Sequence, residues 1–185
     1  MLRASSAAGG RLTVFRLGHR IFRDQRITTH CGLVARALGA RGFAYSGQHD
    51  SEVGASLTRA VEQWGGPFAA AYIERDLTYL KQWKRSGGKV AHLTMYGLPF
   101  QKALPKLRKA KKLLVVVGGE KVPGEIYRLA DWNLSVTSQP HSEVAALAIL
   151  LWELNSRREP KLRSAKLRIV PQERGKRVVP FKTRR

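Results

Sequence analysis

The 185-residue chain has one cysteine, two methionines, two asparagines and only 13 acidic residues. A lone cysteine, Cys31, closes no internal disulfide and offers no thiolate cluster to a metal, so a reducing compartment and a buried apolar role are expected. Two asparagines beside so few Cys and Met fit a heat-adapted source. No apolar run approaches the roughly 20 residues of a membrane-spanning helix, and the opening MLRASSAAGGR lacks the apolar centre of a secretory signal. No membrane partner and a cytoplasmic location are therefore expected. Several cofactor and catalytic signatures are missing as well. There is no GxGxxG after a strand, no GxxxxGK followed by Ser or Thr, and no GxSxG elbow, which disfavours a nicotinamide dehydrogenase, a P-loop NTPase and an esterase-type hydrolase. The five histidines, at 19, 30, 49, 92 and 141, are scattered without metal-ligand spacing.

What the chain does have is positive charge. Against the 13 acids stand 34 Lys and Arg, a formal charge of +21 and a pI near 11.1. Such a field attracts polyanions, and nucleic acid is the leading partner because neutralising phosphates releases counterions. With 43% apolar residues, the chain also has ample material for a core.

From residue 11 to about 156 short apolar runs alternate with amphipathic stretches, the pattern of βα units around a largely parallel sheet. Strands are predicted at 12–17, 42–45, 68–73, 90–95, 113–117 and 132–136. Helices are predicted at 29–38, 52–64, 77–85, 102–110, 124–129 and 143–155. The last helix, with VAALAILLWEL, is apolar nearly all round and needs burial or a second subunit. Residues 1–10 read as a flexible lead-in and 157–185 as a basic extension. Within the extension, LRIV and RVVPF flank PQERGK, whose Gly175 suits the turn of a β-hairpin; a disordered tail is the alternative.

Two loops stand out. LLVVV stops at Gly118-Gly119 and a helix opens after Pro123; the strand at 132–136 breaks at Thr137-Ser138-Gln139-Pro140 before the helix that starts near His141. Each is also a common structural connection, with Ser142 as a helix cap. Strand ends converging on one crevice make a ligand site in open α/β sheets. Arg20, Arg23 and Arg26 are dense enough to hold phosphate, although a solvated charged face has the same look. Arg36 lies among Leu33, Val34, Ala37 and Leu38, a setting that demands a partner or an outlet to water; it faces either the site or a surface salt bridge.

In order, RLGHRIFRDQRITTH, ARALGA, HLTMYG, GGEKVPGEIYRLAD and QPHSEVAALA resemble the archaeal tRNA methyltransferases of the SPOUT superfamily that modify the ribose 2'-hydroxyl of T-loop cytidine 56. The resemblance spans roughly residues 11–155. It implies an α/β fold whose parallel sheet ends in a deep trefoil knot, S-adenosylmethionine as cofactor, tRNA as partner and a homodimer whose site is completed at the interface. It assigns cofactor binding to Leu93 and Thr94, to Gly118, Gly119, Glu120, Lys121 and Val122, and to Val136, Thr137, Ser138, Gln139, Pro140, His141, Ser142 and Glu143. Arg36 matches the arginine implicated in catalysis. His30 and Val144 stand where many SpoU-like relatives carry Asn. The competing readings are a non-catalytic RNA-binding protein and a SPOUT enzyme acting on another RNA.

Overall fold

The computed structural model describes residues 11–119 and 121–181. Six strands, β1 (Leu12–His19), β2 (Gly42–Gly47), β3 (Ala69–Tyr72), β4 (Lys89–Pro99), β5 (Leu113–Val117) and β6 (Trp132–Ser135), form one sheet in the order β3-β2-β1-β5-β4-β6. Every pairing in it is parallel. Helices α1 (Ile21–Ala37), α2 (Ser51–Trp64), α3 (Asp76–Arg85), α4 (Leu104–Lys109), α5 (Gly124–Leu129) and α6 (Glu143–Leu154) cover it. Two apolar clusters fill the two faces, one with Cys31, Leu57, Leu107 and Leu147, the other with Leu80, Trp83 and Ile126. β5 lies in the middle with all five residues buried, as an unbroken apolar run requires. The order turns back between β1 and β5, so a crevice opens at their C-terminal ends.

The elements follow the expected alternation, with three differences. α1 begins at Ile21, eight residues before the predicted start, and takes in Arg23 and Arg26, while Arg20 is its N-cap. The polar stretch RDQR hides that turn from an apolar-periodicity reading, but Asp24 accepts hydrogen bonds from Arg20 N and Nε at 3.1 and 2.9 Å and anchors the helix start. The predicted 102–110 helix is instead a 3-10 turn, Phe100–Lys102, followed after Ala103 by α4. β4 runs four residues beyond its expected end, and its register to β6 slips: Leu93 and Leu98 both pair with Leu134. A side chain at Gly97 would run into the Leu134 backbone, so the two chains touch main chain to main chain there.

Beyond α6, β7 (Leu167–Ile169) and β8 (Val178–Pro180) pair antiparallel as a hairpin. The segment leading to it docks on the end of α2: Gly66 N donates to Arg163 O at 2.8 Å and Lys166 N to Gln63 O at 3.0 Å. The expected lead-in at 1–10 lies outside the described residues.

Candidate active site

β4, β5 and the start of α6 bring distant residues around one cleft of about 340 Å³. Its walls are His92, Leu93, Thr94, Met95 and Tyr96 after β4, Val117, Gly118, Gly119 and Val122 after β5, Tyr127 of α5, and His141, Glu143 and Ala146 at the head of α6. That volume lies in the range of small-molecule sites, about 300–1,000 Å³. Glycine is needed at 118 because a side chain would strike Val122 as the loop curls, whereas a side chain at Gly119 would meet open space.

Glu143 is held from below. Arg16, within β1 and 1% exposed, donates from Nε and Nη2 to Glu143 Oε1 at 3.1 and 2.9 Å. Its Nη2 also sits 3.6 Å from Asp24 Oδ1. Burial pushes the Asp24 carboxyl up, but hydrogen bonds from Arg20 and the charge of Arg16 outweigh it and leave it below its ordinary value. Two carboxylates on two helices thus share one buried guanidinium, which ties α1 and α6 to the floor of the cleft.

Of the expected cofactor residues, Leu93, Thr94, Gly118, Gly119, Val122, His141 and Glu143 meet at this cleft. Glu120 lies outside the described residues. Lys121 lines an adjoining cleft with His19, Arg20, Gly47 and Gln48, and Gly119 belongs to both. Val136, Thr137, Ser138, Gln139, Pro140 and Ser142 are not on its wall; Val136 packs on the core, and Thr137, Ser138, Gln139, Pro140 and Ser142 are exposed. Ser142 is the N-cap of α6, yet its side chain makes no capping hydrogen bond. His92, Met95, Tyr96, Val117, Tyr127 and Ala146 were not foreseen.

Within one chain Arg36 lies away from the cleft and makes no surface salt bridge among the described residues. It is 6% exposed, lines no part of the cleft, and donates from Nε and Nη2 to the carbonyl of Gly65 at 3.1 and 2.9 Å. No carboxylate among the described residues forms an ion pair with it. Burial pushes the guanidinium below its ordinary pKa. α1 runs back along the sheet from the C-terminal to the N-terminal ends of the strands, so 15 residues at about 1.5 Å each put Arg36 roughly 22 Å from the helix start beside the cleft. Arg26 sits with Thr29, His30 and Asp50 on the α1–α2 side; Arg23 is exposed.

A family described as "tRNA ribose 2'-O-methyltransferase, aTrm56" matches residues 64–179. The tRNA (cytidine(56)-2'-O)-methyltransferase of Methanopyrus kandleri is 50% identical over 170 residues, 91% of this chain and 96% of that protein. The chain belongs to this family. The enzyme of the same name from Methanosarcina barkeri is 49% identical over 91% of this chain and 96% of its own length. Among solved structures, the A. aeolicus TrmH/SpoU tRNA-modifying enzyme superposes with a TM-score of 0.60 at 14% identity, covering 82% of this chain and 77% of that one. The SpoU methyltransferase AviRb of Streptomyces viridochromogenes in complex with AdoMet gives 0.57 at 13% identity, over 84% and 62%. These two likenesses establish the SPOUT-type α/β fold of the family member. Among the described residues no helix is long and apolar enough to cross a membrane.

Proposed function

We propose that the cleft binds S-adenosylmethionine and that the chain methylates the ribose 2'-hydroxyl of cytidine 56 in tRNA. One observation carries this reading: three separate segments, at residues 92–96, 117–119 with Val122, and 141–146, converge on a single cleft in a member of a tRNA 2'-O-methyltransferase family. The residues present fit the cofactor in size, in the apolar walls of Leu93, Val117, Val122 and Ala146, and in an unpaired buried acceptor, His92 Nε2. When bound, the cofactor supplies a methyl group on a positively charged sulfur. The protein's part is to set the hydroxyl in line with that bond and to favour loss of its proton. A guanidinium does this by orienting the oxygen and stabilising its developing negative charge, since it remains protonated at neutral pH. Arg36 has that chemistry and, among the described residues, no carboxylate partner.

Within one chain Arg36 stands at the opposite end of the strands from the cleft, so a second copy has to bring it there. α6 carries an exposed apolar stripe of Ala145, Ile149 (45% exposed) and Trp152 (39%) beside α1. Pairing of two copies through this face buries that stripe and completes each site with residues from both. Arg20 and Lys121, in the adjoining cleft, take the tRNA backbone, with Arg23 and Arg26 along the same helix and the basic hairpin extending the field. The double pairing of Leu134 and the contact at Gly97 support threading of β6 through the β4 arch as a trefoil knot. A tRNA enzyme of this kind acts in the cytoplasm.

Two inactive variants test the shared site. Arg36→Ala should abolish methylation of an unmodified tRNA transcript while cofactor affinity, by calorimetry, is retained. Gly118→Val should lose cofactor binding. Mixed and re-associated, the two should regain turnover, with mass mapping placing the methyl group on cytidine 56. Normal turnover by Arg36→Ala alone removes that residue from the mechanism; a silent mixture refutes the shared site.

A further inference from the structure

His92 has no assigned role, and its surroundings dictate its chemical state. It is fully buried on β4, is paired in register with Asn133 of β6, and borders the cleft. Asn133 Nδ2 donates to the Tyr127 carbonyl at 2.9 Å, which leaves Asn133 Oδ1 facing His92 Nδ1, also at 2.9 Å. A carbonyl oxygen accepts only, so the amide orientation follows from that contact. Asn133 Oδ1 in turn requires a proton on His92 Nδ1. The neutral ring therefore turns a bare lone pair at Nε2 inward, and Nε2 is buried with no hydrogen-bond partner among the described residues. Burial holds the imidazole pKa below its ordinary value, with the Asn133 bond only partly offsetting it. A buried acceptor without a donor is costly, and a native site keeps one when a ligand supplies the donor.

We propose that His92 Nε2 accepts a hydrogen bond from the 6-amino group of the cofactor's adenine and so selects adenine over other purines. The donor has to be neutral, because Nε2 is fully buried and an ammonium brought to it would be penalised. It has to lie on a flat apolar body, because Tyr127 packs edge-on against His92 at 4.6 Å and encloses the same space. An aromatic amine meets both demands. In the structure Nε2 is closed off from solvent, so the proposal requires the ring of Tyr127, which is only partly buried and whose hydroxyl is linked to the Thr94 hydroxyl at 3.2 Å, to turn aside for the purine edge.

This inference rests on the cofactor reading above, and calorimetry on the whole protein separates the two. S-adenosylhomocysteine is compared with its analogue carrying hydrogen in place of the 6-amino group. Wild type should prefer the amino ligand by about tenfold or more, as expected for a donor that satisfies a buried acceptor. In His92→Leu the preference should vanish, and in His92→Gln, which keeps an acceptor, it should partly return. Independently of any variant, nitrogen NMR of wild type should show Nδ1 protonated and the Nε2 resonance shifting with the amino ligand but not with its analogue. Equal affinities for the two ligands in wild type, or an Nε2 resonance indifferent to both, overturn the inference while leaving the cofactor reading intact. No binding of either ligand overturns both.

Discussion

Removing Arg16 tests whether the buried guanidinium is what joins α1, α6 and the cleft. In Arg16→Met the apolar stem of the side chain is roughly kept, but Glu143 loses both hydrogen bonds and Asp24 loses its second cation. Breaking one partner from a fully buried pair costs about 3–5 kcal/mol. Here the lower end applies, because the Glu143 side chain is 23% exposed and can reach water, and Asp24 keeps Arg20 at 2.9 Å. The expected loss is about 3 kcal/mol, read from urea unfolding followed by circular dichroism. Glu143→Gln should cost less, and the double variant less than the sum of the singles, with a coupling of about 1–3 kcal/mol in the cycle. Cofactor affinity should fall with Arg16→Met, since the head of α6 forms part of the cleft. Additive losses in the cycle, or wild-type stability in Arg16→Met, would refute the idea that these three charges act as a unit.

Acid should weaken the fold through two histidines. Burial lowers the pKa of both His19 and His92 from 6.5, so below that value the unfolded chain binds protons that the folded chain refuses; stability should fall as pH drops from about 7 to 5, and less steeply in His92→Phe. An unchanged slope in that variant would mean His92 titrates alike in both states. Gly97→Ala should cost about 3 kcal/mol, the upper end of overpacking, because the obstacle is the Leu134 backbone and not a side chain that can turn. In a thermal melt this is a drop of about 6–12 °C, and a wild-type melt would contradict the close crossing.

The parts legible in the sequence are those with a local signature. Leu113–Val117 is an uninterrupted β-branched run and forms the strand its pattern predicts. Gly118 and Gly119 mark the loop, and Gly175 marks the hairpin turn between β7 and β8. Hidden residues are those defined by register. His92 meets Asn133 only because β4 and β6 are neighbours, 41 residues apart, and nothing around HLTMYG advertises an unprotonated nitrogen. Tyr127 is concealed likewise, as one aromatic on a short helix. Arg36 shows the converse. Its apolar neighbours announced a buried cation, but its acceptor is a main-chain oxygen 29 positions away that no residue type reveals.

That acceptor has its own implication for experiment. Gly65 adopts a left-handed φ of +71°, and a side chain there would collide with the Arg163 carbonyl. The oxygen gripping Arg36 belongs to the main chain, so no side-chain truncation removes the acceptor itself, and Arg36→Ala reports the loss of the guanidinium without revealing what holds it. Only changes that bend the peptide unit itself, such as substitution at Gly65 or excision of the strand-forming tail that lies against it, can unseat the guanidinium while leaving Arg36 in the sequence.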